Sequence, residues 1–506
     1  MQSSLDSYVK ENKKQDYINH EYIKQDTIFY KEFQREIADR AINENTAVIL
    51  PTGVGKTIIA YLVMAKKLPC KVLFLAPTRP LVNQHYEYAK KFINIEKEKI
   101  QLLTGKISRS KRKEIFLNSN IIISTPQTIK NDLDKGFFNL NDVSLVIFDE
   151  MHKAVENYAY VHIASCFEGL ILGLTASPGS KKTKMEKVFT NLKIKNVESM
   201  DKSKLQEYTK ETTFEFIKIP LTKNILEIRK KINELFLEKL EKLKKFGILT
   251  YKSPGYISKT DVINARGVIS SRLGKRPYAF AAFHNHSILL QAYHCQELVD
   301  TQGIEPFVKY IDAMEKKKRT KTENSFLKDK KIIKAIEKAK ESKLSHPKLA
   351  ALKKLVEEQF KKQKDSLILI FTQYRDTIPS IEKTLEKVKI AEFKKFIGQA
   401  HKNKEKGMSQ QEQNEIINEF RKRNINVLIA TSVAEEGIDI PNVNMVIFYE
   451  PVPSEIRSIQ RKGRTGRTHS GSIKVLVAED TKDIAYLNAS IKKEKKMNYL
   501  IKKMER

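Results

Sequence analysis

The chain has 506 residues, of which 41% are hydrophobic and 30% are charged. This length and balance exclude a single small domain, a disordered chain and a protein made of membrane spans. The net charge of +32 favours a polyanionic partner, the alternative being a Lys-rich or thermophilic composition. No apolar run reaches spanning length, and the polar N-terminus MQSSLDSYVKENKKQDY lacks the apolar core of a secretory signal. We therefore expect a cytoplasmic protein with no membrane partner.

Two stretches of the chain alternate short apolar runs with longer, helix-like segments. The first stretch covers residues 25–200, after an N-terminal tail at 1–24, and its runs are TAVIL, KVLFLA, IIIS, SLVIF and LILGLTA. The second covers residues 346–490, with runs SLILIF, NVLIAT, NMVIF and IKVLVA. This alternation is typical of parallel α/β sheets, so two α/β domains are predicted.

The segment between these domains, residues 201–345, is predicted to be an all-helical insertion. Lys and Glu separate apolar residues at helical spacing, namely Ile225, Ile228, Ile232, Leu235, Phe236, Leu240 and Leu243. The lysine-rich stretch at the end of the insertion, EKKKRTKTENSFLKDKKIIKAIEKAKESK, is either a solvated face or one wall of a nucleic-acid channel. Residues 491–506 resemble a basic terminal helix of open function. The histidines at 284, 286 and 294 beside Cys295 lack a metal-ligand register and are interpreted as packing residues.

The sequence LPTGVGKT joins a predicted strand to a predicted helix, the context of a phosphate-binding loop. Glycines let backbone N–H groups approach phosphates, and the helix N-terminus adds positive potential. Lys56 would reach the outer phosphates, and Thr57 would hold Mg²⁺. The full pattern begins with Gly, whereas this loop begins with Leu. The predicted nucleotide contacts in the loop are Leu50, Pro51, Thr52, Gly53, Val54 and Gly55.

An acidic pair ends the predicted strand of SLVIFDEMHK. We expect Asp149 to bind Mg²⁺ directly or through water, and Glu150 to position and deprotonate the attacking water. A surface turn is the alternative for such a pair taken alone. The upstream loop favours catalysis.

A cationic cluster near the C-terminus, QRKGRTGR, would supply positive charge from the opposite side of the phosphates. Gln460, Arg461, Arg464 and Arg467 recur at spacings of three or four, or lie side by side, which places them near one helix face. An arginine finger is worth about 10³ to 10⁵ in rate in related phosphoryl transfers. The alternative is a basic helix that binds backbone phosphates nonspecifically.

The ordered series LPTGVGKT, APTRPLVNQH, STPQT, DEMH, TASP, IFTQYRDT, ATSVAEEGIDIP and QRKGRTGR resembles the motifs of superfamily-two helicases across both α/β domains. Within that superfamily the chain most closely resembles the helicase part of archaeal Hef, whose relatives include the Fanconi-anaemia translocase. The resemblance implies two RecA-like parallel-sheet domains with the helical insertion between them. It also implies ATP and Mg²⁺ as cofactors.

Residue roles follow from the same resemblance. Gln34 would recognise adenine, although Lys31 stands where an arginine is more usual. Gly437 and Asp439 would reach the nucleotide from the second domain. His152 and Gln460 would couple the two ATP-facing motifs. The implied contacts to nucleic acid are Thr78, Arg79, Thr104, Gly105, Thr125, Pro126, Gln127, Thr372, Gln373 and Thr431.

The resemblance implies an ATP-dependent DNA helicase or translocase that moves 3′ to 5′ on forked or branched DNA. Its expected partners are DNA and a separate structure-specific nuclease or sliding clamp. Two alternatives remain open: an RNA helicase or double-stranded-RNA translocase, and a DNA-binding recruiter of a nuclease with little motor action.

Overall fold

Two parallel β-sheets form the frame of the protein. The computed structural model describes residues 17–200, 204, 208, 212–272, 278–342, 345–399, 407–431, 440–452 and 471–504. Along the chain, these ranges contain first the strands of one sheet, then a block of helices, and then the strands of the other sheet. One strand of the second sheet is an exception and precedes the helices. The predicted fold class, two parallel-sheet domains with a helical insertion, is confirmed.

The first sheet has the strand order β3-β4-β2-β5-β6-β1-β7. Neighbouring strands are parallel throughout. Its strands are β1 (Thr46–Ile49), β2 (Lys71–Leu75), β3 (Ile100–Leu103), β4 (Ile121–Ser124), β5 (Val143–Asp149), β6 (Leu170–Thr175) and β7 (Asn196–Ser199).

Helices cover both faces of this sheet. Successive strand residues point to opposite faces, so Val48 enters one buried core and Ile49 the other. Strands buried on both faces must be apolar throughout, which explains the continuous runs in the sequence. The helices of this domain are α1 (Glu32–Ala41), α2 (Lys56–Lys67), α3 (Arg79–Phe92), α4 (Arg109–Asn118), α5 (Pro126–Asp134), α6 (Ala159–Ser165) and α7 (Lys182–Asn191).

The second sheet has the order β10-β11-β9-β12-β13-β8 and is also parallel between all neighbours. Its strands are β8 (Thr212–Ile219), β9 (Ile368–Phe371), β10 (Phe393–Phe396), β11 (Val427–Ala430), β12 (Met445–Phe448) and β13 (Gly471–Ala478). Its helices are α14 (Pro347–Lys362), α15 (Ile378–Leu385), α16 (Gln410–Arg421) and the terminal α17 (Lys482–Met504).

The insertion is a helical bundle with its own apolar core. All seven apolar residues predicted to form one face of its first helix are buried. His286 packs inside the bundle, where its Nε2 lies 2.7 Å from Val262 O. The helices are α8 (Lys223–Lys245), α9 (Lys259–Ser270), α10 (Ala279–Thr301), α11 (Ile304–Lys316), α12 (Lys321–Leu327) and α13 (Lys330–Glu341). Every helix in the described ranges is too short or too polar to cross a bilayer.

Three predicted boundaries need correction. Strand β8 lies inside the range predicted to be all-helical, yet it pairs with β13 at the edge of the second sheet, because TTFEFIKI alternates with the period of a strand. The C-terminal helix begins at Lys482 rather than at residue 491. Within the predicted N-terminal tail, Ile23 is buried and bridges Ile93, so residues from 17 onward belong to the first domain.

A buried charged network joins the insertion to the second sheet. Lys348 Nζ lies 2.5 Å from Asp483 Oδ2, and both side chains are fully buried. Lys348 also donates, at 3.2 Å, to the carbonyl oxygen of Thr301, the last residue of α10 in the insertion. Next to it, Arg229 Nε lies 3.3 Å from Asp300 Oδ1, and burial raises the pKa of Asp300 to about 6. Of these contacts, the hydrogen bond from Lys348 to Thr301 O is the one that connects the second domain to the insertion.

Candidate nucleotide site and nucleic-acid interface

The carboxyl ends of the first sheet carry the predicted site residues in two adjacent groups. Because all strands are parallel, these ends meet at one edge, where ligands of open α/β sheets bind. Strand β6 lies between β5 and β1, and the loops after β5 and β1 hold predicted nucleotide residues. We call them the nucleotide half. The loops after β3, β4 and β2, also neighbours, hold the predicted nucleic-acid residues, and we call them the strand half.

The phosphate loop connects β1 to α2. Gly53 and Gly55 have φ values of +87° and +101°, which an L side chain rarely adopts. Helix α2 has no acidic residue in its first turn, so its N-terminal amides remain suited to an anion. Lys56 Nζ donates to the carbonyl oxygens of Leu50 and Pro51 at 2.8 and 3.0 Å, folding the lysine back across the loop. The loop therefore has the geometry of a phosphate cradle.

The acidic pair lies at the end of β5, which is next but one to β1 in the sheet. Glu150 has a left-handed backbone, with φ of +51°, and its N–H donates to Asp149 Oδ1 at 3.0 Å. The second oxygen of Asp149, Oδ2, lies 3.0 Å from Nε2 of His85. Tyr160 donates its hydroxyl to Asp149 O at 2.7 Å. Both the carboxylate and the backbone of Asp149 are thus fixed by named partners.

His152 links the acidic pair to β6. Its Nδ1 lies 3.3 Å from Glu150 Oε2 and 3.0 Å from Thr175 Oγ1. Thr175 Oγ1 in turn accepts from the backbone N–H of Ser177 at 3.1 Å, and Ser177 Oγ lies 3.0 Å from Met497 Sδ on α17. Four successive contacts thus connect Glu150 to the terminal helix.

Gln34, predicted to contact adenine, lies under the phosphate loop. Its side chain is 2% exposed, and its Nε2 donates to Val54 O at 3.0 Å. In this conformation the amide supports the loop. Lys31 lies just before α1, as its N-cap residue.

The predicted nucleic-acid residues of the strand half lie at the starts of helices and in short loops. Arg79, Gly105 and Gln127 are exposed. Thr125 Oγ1 is 3.0 Å from Thr128 Oγ1 in the first turn of α5. The other members are Thr78, Thr104 and Pro126, of which Thr78 has a buried hydroxyl without a hydrogen-bond partner among the described residues.

The matching residues of the second sheet follow the neighbouring strands β9 and β11. Thr372 is fully buried and Thr431 is 5% exposed. The Gln373 side chain donates to Pro451 O at 3.0 Å, and its backbone N–H donates to the Glu450 carboxylate. In this conformation these groups bind neighbouring protein atoms. Six predicted residues of this domain lie outside the described ranges: Gly437, Asp439, Gln460, Arg461, Arg464 and Arg467.

Sequence reasoning missed two residues that contact Asp149, Tyr160 at its carbonyl oxygen and His85 at its carboxylate. The second of these, His85, has a recognisable position in the sequence. It lies on the buried face of α3, where Val82, Ala89 and Phe92 complete the stripe at helical spacing. A polar side chain within an apolar stripe needs a buried partner. That interruption was the available signal, and Asp149 is the partner.

Comparisons with known proteins agree with this architecture. The DEAD/DEAH box helicase family matches residues 31–185, the helicase conserved C-terminal domain matches 347–469, and the helical bundle of a putative ATP-dependent RNA helicase family matches 224–346. With the phosphate loop and the Asp–Glu pair on a parallel sheet, these matches define an ATP-hydrolysing helicase of superfamily two.

Three relatives narrow the class. The crystal structure of the Pyrococcus furiosus Hef helicase domain is 39% identical, with a TM-score of 0.70, and the match covers 90% of this chain and 97% of that one. The chain belongs to the Hef family of helicases. It is also 41% identical to a putative ATP-dependent RNA helicase of Methanocaldococcus jannaschii, over 96% of this chain and 63% of that protein. An ATP-dependent DNA helicase of Schizosaccharomyces pombe is 31% identical over 91% of this chain and 58% of its own length. The chain thus spans about three fifths of these two curated relatives.

Proposed function

We propose that the protein is a Mg²⁺-dependent DNA translocase that moves 3′ to 5′ and acts on forked or branched DNA. The observation that carries this proposal is the division of one sheet edge into the nucleotide half and the strand half. Their inner strands, β5 and β2, are direct neighbours. The two halves are therefore connected by directly paired strands. A conformational change at the nucleotide would reach the proposed nucleic-acid contacts across this single pairing.

The metal would be held by Thr57 at the start of α2 and by Asp149. The donor set fits: a hydroxyl and a carboxylate, with oxygen ligands of the kind that Mg²⁺ prefers. When bound, Mg²⁺ would neutralise charge on the phosphate oxygens.

The remaining chemistry belongs to side chains of the protein. Lys56 would exchange the carbonyl oxygens of Leu50 and Pro51 for outer phosphate oxygens. Glu150 would hold the attacking water and accept its proton. Arg464 and Arg467 would complete the site from the second domain when the two domains close.

The choice of a branched nucleic acid rests on the charge of the insertion. Residues 242–296 contain nine Lys and Arg and a single acid, Asp261. That acid is internally paired, since its carboxylate accepts from Lys252 Nζ at 2.7 Å and from Ser258 N at 2.8 Å. Burial alone would raise the pKa of Asp261, but these hydrogen bonds lower it well below its ordinary value. The stretch therefore favours a second phosphate-rich segment beside the strand gripped by the sheets.

One substrate panel tests the proposal. ATP turnover and strand displacement would be measured with forked DNA, single-stranded DNA, linear duplex DNA and double-stranded RNA at one salt concentration. We expect forked DNA to give the highest turnover and to be unwound. Equal stimulation by all DNA forms would contradict the branch preference while leaving the DNA motor intact.

Direction is tested separately, with duplexes that carry a single-stranded overhang at either the 3′ or the 5′ end. A 3′ to 5′ motor loads on the 3′ overhang and displaces the strand that is paired with it. The duplex with the 5′ overhang should stay intact. Displacement confined to the 5′ overhang would overturn the proposed direction.

An RNA motor is the second candidate, since the Methanocaldococcus relative is named as a putative RNA helicase. It predicts that double-stranded RNA, rather than forked DNA, gives the highest turnover in the same panel.

A further inference from the structure

His85 occupies a position that the proposed catalytic scheme does not use. Its ring is 3% exposed and lies against Phe74 of β2, with ring centroids 4.2 Å apart. Its carbonyl oxygen accepts the Tyr61 hydroxyl from α2 at 2.8 Å. The imidazole is therefore held between the helix that follows the phosphate loop and the strand beside β5.

The only polar atom that His85's ring reaches, among the described residues, is Oδ2 of Asp149. A carboxylate oxygen accepts, so the proton of this 3.0 Å contact is on Nε2. Nδ1 is buried without a hydrogen-bond partner in the described part of the chain. Leaving a buried polar atom unpaired is unfavourable, and the ring keeps this orientation because it satisfies Asp149.

The two oxygens of Asp149 are then held differently. Oδ1 accepts from the adjacent backbone N–H of Glu150, which every residue except proline would supply at that position. Oδ2 depends on one side chain, His85, whose helix begins at Arg79 in the strand half. The helix α3, through His85, thus sets the rotation of the carboxylate about the Cβ–Cγ bond of Asp149.

We propose that His85 is a positioning residue that orients the Asp149 carboxylate for Mg²⁺, and that it makes α3 the link between the strand half and the metal. This inference rests on the Mg²⁺ site in the proposed function. Partners that hydrogen-bond a metal ligand from behind typically change metal affinity by about 10- to 100-fold when removed.

The test uses the full chain and a fluorescent ADP analogue whose binding is titrated with Mg²⁺ and in EDTA. H85L removes the hydrogen-bond donor and fills the space of the ring with an apolar side chain, whereas H85Q places an amide N–H near the position of Nε2. Mg²⁺ should increase the affinity for the ADP analogue, and we expect H85L to raise the Mg²⁺ concentration that gives half of this increase by about 10- to 100-fold. The affinity for the analogue in EDTA should stay unchanged. H85Q should restore most of the effect.

Y61F is the matched control, because it removes the neighbouring buried hydrogen bond on His85 without touching Asp149. It should lower the thermal unfolding temperature and leave the Mg²⁺ midpoint unchanged. If wild-type and H85L proteins respond equally to Mg²⁺, or if Y61F shifts the midpoint as far as H85L does, the positioning role is overturned. If the wild-type protein shows no response to Mg²⁺, the metal site of the proposed function fails instead.

A shift in H85L that H85Q does not rescue would also overturn the hydrogen-bond role, since it would assign the effect to packing around Phe74. Should H85L fail to fold, H85Q and H85N provide the comparison, because an amide at the shorter Asn side chain falls short of Oδ2. H85N must then show the raised midpoint and H85Q the normal one.

Discussion

The two halves of the first sheet edge are built differently, although they share a fold and adjoin each other. In the nucleotide half, other protein groups hold the predicted side chains in place: Asp149 contacts His85 of α3, His152 contacts Thr175, and Lys56 donates to the carbonyl oxygens of its own loop. In the strand half, exposed groups such as Arg79 and Gln127 lie at helix starts, and the Thr125 hydroxyl bonds within its own turn. Catalysis needs oriented side chains, whereas a grip on phosphates of any sequence needs accessible polar groups.

The largest expected effect comes from the nucleotide half. E150Q keeps the size of the side chain and removes the base, so nucleic-acid-stimulated ATP turnover should fall about 10²- to 10⁴-fold. Binding of nucleic acid, measured by fluorescence anisotropy, should persist.

E156Q is its matched control. Glu156 is exposed and has nearly the same left-handed backbone as Glu150, with φ of +52° against +51°. Wild-type turnover in E150Q would remove Glu150 from the mechanism. A comparable loss of turnover in E156Q would show that replacing a glutamate at a left-handed backbone position is enough to cause the effect.

The next effect concerns the frame of the strand half. Arg112 of α4 donates to both oxygens of Asp132 of α5, at 2.7 and 2.6 Å, and both side chains are buried. D132L would leave the Arg112 charge buried and unpaired, which costs about 3–5 kcal/mol in the free energy of unfolding. Urea unfolding measures the loss.

The double variant R112M/D132L removes both charges and should recover most of that stability. Nucleic-acid affinity should fall in D132L, while affinity for the ADP analogue stays unchanged. Loss of both affinities together would show that the two halves are not separable.

A smaller effect is expected at the surface of the strand half. If Arg79 contacts a backbone phosphate, R79A should weaken binding of single-stranded DNA and reduce the slope of log affinity against log salt by about 0.7. Basal ATP turnover should stay the same. R35A removes another exposed arginine, one that pairs with Asp39 at 3.7 Å, and should leave the salt slope unchanged.

The smallest effect separates a structural from a binding role at Thr125. T125V and T128V each remove the same internal hydrogen bond, so both should lower the unfolding free energy by about 0.5–1.5 kcal/mol. Only T125V should weaken nucleic-acid binding in addition. Equal binding by the two variants would leave Thr125 with the structural role alone.

Which strands could be predicted from sequence follows from their place in the sheets. All nine interior strands were predicted, because a strand buried on both faces is a continuous apolar run. The four edge strands, β3, β7, β8 and β10, were missed. Edge strands are half-covered and tolerate charge: β10 is FKKF, with two exposed lysines between two aromatics. Their apolar signal is too weak to distinguish them from helix or loop.

The candidate site shows a similar limit. Local motifs predicted Lys56, Asp149, Glu150 and His152, and all four end or follow strands of the first sheet at its carboxyl edge, with contacts among the last three. His85 carries no motif of its own, and its partner is 64 positions away in the chain. Such a contact depends on how α3 packs on the sheet, which the order of residues alone does not reveal. The predicted closure around Arg464 and Arg467 remains a prediction.

The terminal helix α17 sets a mechanical limit on the motor. Its first turn carries Asp483, paired with Lys348 below the second sheet, and its far end buries Met497, Leu500 and Ile501 in the core of the first domain. At about 1.5 Å per residue, this rod is roughly 33 Å long and cannot lengthen without unwinding. Moving the two domains apart along α17 would therefore require either unwinding of the helix or exposure of three apolar side chains to water.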